Sequence, residues 1–298
     1  MKLGKKNRFP MDTVDIGPLQ LKARKVDFDL SATPLHWIPG HPVAGHTLNA
    51  YHLLFPEVER FFIAAFKEAL PEIVDPRLRE DVLGFIGQET VHANAHEDSL
   101  DDYFQRNGID PGPLLAQSRY LLGRVLGPRE FRTDRARRRH LINRLAITAA
   151  FENFTAFLGH FVLNCRWDEA GSDPGMTALF RWHGAEEMEH RTVAHDVAMY
   201  FDPGYWRRVR TMVVIFPLVI WISSRFVWYM VEHDPAVRSS RLRVLLTVLR
   251  DGRAGMLPTA RTVIGSALDY LKPSFRPDDT GSMAQALSYL ATIESRAA

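Results

Sequence analysis

The chain has almost no cysteine. Cys165 stands alone in 298 residues, so an internal disulfide and a cysteine-built zinc finger are both excluded, and a reducing, cytoplasmic setting is expected. A glycine-rich phosphate loop and a G-x-S-x-G nucleophile elbow are also missing, which removes two common routes to phosphate binding and acyl transfer. The opening stretch MKLGKKNRFPMDTVD lacks the apolar run that a signal peptide needs. Neither sign of charge dominates: the formal net charge is +2, and with no nucleic-acid reading motif, nucleic acid is not an expected partner.

Composition is that of a globular chain, with 46% hydrophobic and 24% charged residues. Few β-like alternations occur between residues 48 and 200, and the pattern there is helical. Breaks fall at Pro71, Pro76, 108–113, Gly127 with Pro128, and 171–175. Three parts are expected: an extended N-terminal arm over 1–45, a helical bundle over 46–202, and an apolar and basic helical extension over 203–298 packed on the bundle. The basic run RTDRARRRHLINR opens one helix, where positive charge is electrostatically unfavourable, so a solvated helix start or a nearby acidic helix is expected to answer it.

The chemistry lies in four short segments: PEVERFF with Glu59, GQETVHANAH with Glu89 and His92, FENFTAF with Glu152, and WHGAEEMEH with Glu187 and His190. Residues three apart on an α-helix share a face, so each Glu-x-x-His pair can hold one metal ion. Glu59 precedes Glu89 by thirty residues and Glu152 precedes Glu187 by thirty-five, the length of two helical hairpins. The interval from His92 to Glu152 is about twice as long and can carry a crossover between them.

The neighbours of each residue sharpen this reading. Glu59 shares a stripe with Phe55, Phe62, Ile63 and Phe66, and a carboxylate there needs a metal or an arginine. Glu57, on a different face, is expected to be exposed. Glu89 follows Val82, Phe85 and Ile86, while His96, one turn past His92, is a candidate for a supporting role. Gln88 reads as a bystander or a hydrogen-bond partner. Small residues beside Glu152 (Thr148, Ala149, Thr155, Ala156, Gly159) leave room for a substrate or dioxygen, or else allow close helix packing. Glu186 competes with Glu187 as the ligand paired with His190; Glu186, His183 and Asp196 are candidates to orient the ligands.

Four carboxylates and two imidazoles in this order form the ligand set of ferritin-like di-iron and di-manganese proteins. The strings FPEVERFF, FIGQETVHANAHE, FENFTAF and WHGAEEMEHRTVAHDV resemble a bacterial family labelled "predicted metal-dependent hydrolase", across roughly residues 30–230. The resemblance implies an all-α, ferritin-like four-helix bundle with extra C-terminal helices, and carries Glu59, Glu89, His92, Glu152, Glu187 and His190 over as metal ligands. The donor set favours two iron ions, with manganese, mixed manganese and iron, or zinc as alternatives. The leading expectation is an oxidase or oxygenase that takes O2, an electron donor and an apolar or lipid-like substrate. The alternative is two-metal hydrolysis of an ester or phosphoester; iron storage or a scaffold is a third class.

One further segment stands out. Residues 206–231, WRRVRTMVVIFPLVIWISSRFVWYMV, combine a basic cluster with about twenty mostly apolar residues, interrupted by Pro217 and Arg225. A basic amphipathic stretch around LRVLLTVLR follows. Three fates are open for 206–261: a buried helix, an anchor on the inner membrane face, or a span, which Arg225 disfavours. A homodimer is a further expectation.

Overall fold

The computed structural model describes residues 20–297, so the first part of the expected arm, 1–19, lies outside the described residues. No strand occurs among the described residues. Helix α1 spans Pro42–Ala69, α2 Pro76–Arg106, α3 Gly112–Ser118, α4 Asp134–Asn164 and α5 Pro174–His190. Then follow α6 Val193–Phe201, α7 Tyr205–His233, α8 Arg241–Arg253, α9 Ala260–Tyr270 and α10 Met283–Ala297.

Local sequence sets the helix starts. Asp75, Thr133 and Asp173 cap α2, α4 and α5, each side chain accepting a hydrogen bond from a backbone N–H three residues on. Pro42, Pro76 and Pro174 occupy the first helical position, where a missing N–H costs nothing. Two other prolines, Pro56 and Pro217, lie inside α1 and α7, and neither ends its helix. The basic start of α4 is answered by acids on the α1 side: Arg144 pairs with Glu68 at 2.5 Å, and Arg138 pairs with Glu72.

Helices α1 and α2 form one hairpin, and α4 and α5 the other; α1 also packs on α4. Phenylalanines fill the interior beside Glu59, with Phe66 and Phe85 at 4.5 Å between ring centroids and Phe62 against Phe151. The 20–41 segment lies over this bundle without helical structure, burying Leu30, Trp37 and Ile38. Trp37 stacks on Phe180 of α5 and donates to Asn49 of α1 at 3.1 Å. Helices α7 to α9 cover the α1 and α4 side, with α7 on both, α8 on α1, and α9 on α4 and α7, whereas α10 packs on α5.

The small-residue face of α4 serves packing. A Cβ on Gly159 would lie 2.3 Å from the Gly184 carbonyl oxygen, and one on Gly184 would lie 2.4 Å from Val162 Cγ2. This glycine pair lets α4 and α5 approach closely. Beside Ala149, Asn153 and Ala156 the cavity measures only about 10 Å³, room for one water at most. Gly159→Ala should therefore cost about 1–3 kcal/mol through overpacking. A urea midpoint unchanged by the substitution would contradict this crossing.

Candidate metal centre

Each ligand candidate arrives on its own turn of a long helix. Glu59 comes from α1, Glu89 and His92 from α2, Glu152 from α4, and Glu187 and His190 from the last turn of α5. All six are buried. Donor atoms of Glu89, His92, Glu187 and His190 lie within 4.8 Å of one another, and a second group joins Glu59 and His92 to His183.

The two histidines have fixed tautomers. His92 Nε2 donates to Glu186 Oε2 at 2.8 Å, and a carboxylate can only accept. Gln88 donates its amide N–H to Glu189 Oε2 at 2.7 Å, so its oxygen faces His190 and accepts from Nε2 at 2.8 Å. Both imidazoles therefore turn Nδ1 inward, toward Glu89 and Glu187. Burial works against a charged His92, but the carboxylates of Glu186, Glu187 and Glu89 outweigh it and raise its pKa well above the ordinary value. Arg24, from the arm, closes the outer side by donating at 2.8 Å to both Glu186 and Glu189. A continuous run of hydrogen bonds thus joins His92 to His190 through Glu186, Arg24, Glu189 and Gln88.

Inside that run the donors find no hydrogen-bond partner. Both oxygens of Glu59, Glu89 and Glu152, Glu187 Oε2, and the Nδ1 atoms of His92 and His190 are buried and unsatisfied. His190 Nδ1 lies 2.8 Å from Glu89 Oε1, yet without the alignment of a hydrogen bond. An imidazole nitrogen and a carboxylate oxygen held that close without hydrogen-bond alignment fit ligands aimed at a common cation. The remaining separations, 3.8 Å from His92 Nδ1 to Glu89 and 3.5 Å to Glu187, suit the same reading. Buried polar groups are otherwise almost always paired. The residues present therefore fit a metal centre.

The electrostatics agree. Burial, then repulsion from Glu89, pushes the Glu59 carboxyl well above its ordinary value; burial, then repulsion from Glu187 and Glu89, does the same to Glu152. His183 extends the site outward. Its Nε2 lies 2.8 Å from Glu187 Oε1 and 3.6 Å from Glu59 Oε1, so it can donate to Glu187 or join the cation's ligands. Its Nδ1 meets His96 Nε2 at 2.6 Å, and His96 Nδ1 meets His52 Nδ1. Burial keeps all three rings neutral, holding His52 down to about 3. Each neutral ring has one N–H and one acceptor, so the three form a directed line: His52 donates to His96, His96 to His183, and His183 to Glu187.

Several sequence expectations change here. Asp196 does not reach the cluster, because the chain breaks at Arg191–Thr192 and α6 carries it toward Asp81 and Asp278. Burial, then these two acids, raises its carboxyl to about 6. Glu186 points away from the shared space and holds His92, while Glu187 faces in. Glu57 is partly buried and pairs with Arg60 and Arg119. Arg24, Glu189 and His52 have roles that spacing alone did not reveal; of these, only Glu189 lies within a ligand segment.

A family described as "Predicted metal-dependent hydrolase" matches residues 22–281. The chain belongs to this family. The match takes in all four ligand segments, the 22–41 stretch that carries Arg24, and α7 to α9. No curated protein and no solved structure matches the chain. Metal dependence, as the family description has it, accords with the unsatisfied donors.

Glu152→Gln should raise the melting temperature of chelator-treated protein at neutral pH. The raised folded pKa means that stability is lost as pH climbs above 4.5, the ordinary carboxyl value. Below that value Glu152 is protonated in both states, so the gain should vanish. Equal effects at both pH values would contradict this assignment.

Proposed function

We propose that the chain is a metal-dependent hydrolase with a two-metal carboxylate centre in a ferritin-like four-helix bundle. Glu59, Glu89, His92, Glu152, Glu187 and His190 are its ligands, with His183 positioned to join them. The observation that carries this reading is the set of buried, unsatisfied oxygens and Nδ1 atoms converging from four helices. The family description favours hydrolysis as the reaction class. When bound, divalent ions supply a water of lowered pKa and polarise an ester or phosphoester oxygen.

The protein's own contributions follow from the contacts. Glu186 and Gln88 lock the ligand tautomers, and Arg24 fixes both acids that do so. The phenylalanine stripe excludes bulk water. His52, His96 and His183 donate in sequence toward Glu187, a line oriented to deliver a proton to that carboxylate and not to draw one from it.

One observation favours a second reading, dioxygen activation at iron for oxidation of an apolar or lipid-like substrate. A cavity of about 410 Å³ lies between residues 26–31 and α2 near Asp102 and Arg106, and none of the proposed ligands lines it. A centre so enclosed admits a small molecule more readily than a bulky ester. This reading needs an electron donor.

Anaerobic protein loaded with zinc or manganese should bind about two ions per chain and turn over an ester or phosphoester. Glu89→Ala should remove both the metal and the turnover. Turnover seen only with iron and oxygen would overturn hydrolysis in favour of the second reading; unchanged metal content in Glu89→Ala would refute the site.

A further inference from the structure

Helix α7 is apolar on two faces, and only one of them is used. Met212, Ile215, Ile222, Phe226 and Met230 are buried where α7 packs on α1 and α4. The opposite face exposes Trp206, Val213, Val214, Ile220 and Trp221, with Val214 at 62% and Trp221 at 53%. Of the most apolar eighteen-residue stretch of α7, only 28% is buried, against 72% for the corresponding stretch of α4. Helix α7 lies packed along α1 and α4, which leaves its other face free to meet a surface from the side.

The same side of the molecule repeats the pattern. Helix α8 packs on α1 and α9 on α4, so both flank α7 on the covered side of the bundle. Helix α8 exposes Leu242, Leu245, Leu246 and Leu249, and α9 exposes Ile264 and Leu268. Separately placed exposed leucines need no explanation, but apolar faces on three neighbouring helices do.

Charge indicates the partner. Arg210, Arg238, Arg243, Arg253 and Arg261 are exposed across these helices and have no salt-bridge partner among the described residues. Arg225 donates to Gln117, and Arg241 stacks over Trp228. From Tyr205 to Tyr270 the acids are Glu232, Asp234, Asp251 and Asp269; Glu232 and Asp269 are exposed, and Asp269 is paired with Lys272. Arginines bordering an apolar and tryptophan-bearing face match the anionic headgroups and acyl boundary of a lipid surface.

We propose that the outer face of α7, α8 and α9 docks on an anionic lipid bilayer, lying in its interface without spanning it. This is independent of the metal reading, since none of the ligand candidates lies on these helices. The test uses the full chain without detergent in flotation with two kinds of vesicle, phosphatidylcholine alone and phosphatidylcholine containing phosphatidylglycerol. The protein should float with the anionic vesicles and roughly tenfold less with the neutral ones, with added salt weakening the binding.

Two double variants probe the two halves of the surface. Val214→Asp with Trp221→Asp removes the apolar contact, and Arg243→Glu with Arg253→Glu reverses the charge. Each should cut flotation by roughly tenfold, with melting temperature and metal content kept. The arginine pair is exposed and keeps the test valid if the first pair misfolds. Absence of flotation with either vesicle, or flotation indifferent to the arginine pair, would overturn the proposal. A dimer in light scattering that Val214→Asp with Trp221→Asp dissolves, without vesicle binding by the parent, would overturn it too and assign the face to a second copy.

Discussion

Mutual repulsion among four buried carboxylates is the constraint around which the bundle is arranged. Glu59, Glu89, Glu152 and Glu187 are all buried and repel one another, and a buried charge left uncompensated costs roughly 3–5 kcal/mol. A domain has only about 5–15 kcal/mol of net stability to lose. In the metal-free chain burial and the neighbouring acids raise the pKa values of Glu59 and Glu152 well above the ordinary carboxyl value. Cations would relieve the same repulsion without protons. The site is thus costly to build and suited to metal, and both properties come from the same four residues.

The surroundings hold that arrangement rigid. Close approach at Gly159 and Gly184 brings the helices of Glu152 and Glu187 together. The arm beyond the bundle has a chemical part, because Arg24 joins Glu186 to Glu189 and so connects the supports of His92 and His190. A ligand whose outer nitrogen is tied in this way cannot rotate its inner lone pair out of the site. Membership of the metal-dependent hydrolase family accords with this chemistry, and the choice between water and dioxygen as the activated molecule rests on reactivity, not on the scaffold.

Part of what the structure gathers was legible in the sequence, namely Glu89, His92, Glu187 and His190 together and Glu59 beside His92, whereas Glu152 falls outside both close groups and the outer hydrogen-bonded run was hidden. Glu59, Glu89, His92, Glu152, Glu187 and His190 could be placed on shared faces because helical periodicity and hairpin length are local quantities. All-helical architecture was readable for the same reason. Arg24 was not, since its partners lie 162 and 165 residues away and nothing in the KARK stretch marks them. Asp196 misled because the reading carried one helix across Arg191–Thr192, where the chain turns. Small side chains beside Glu152 left room and close packing both open in the sequence, and the structure shows close packing where Gly159 faces Gly184. The line from His183 to His52 depends on packing between α1, α2 and α5, which periodicity does not fix.

The central claim is that these donors hold two metal ions with the histidines bound through Nδ1. Anomalous difference maps at the metal edge, from crystals grown with manganese or iron, test it most directly. Two peaks among Glu59, Glu89, Glu152 and Glu187, each within bonding distance of one histidine Nδ1, are the predicted result. No peak in that space, or ligation through Nε2 with Glu186 and Gln88 displaced, would contradict it.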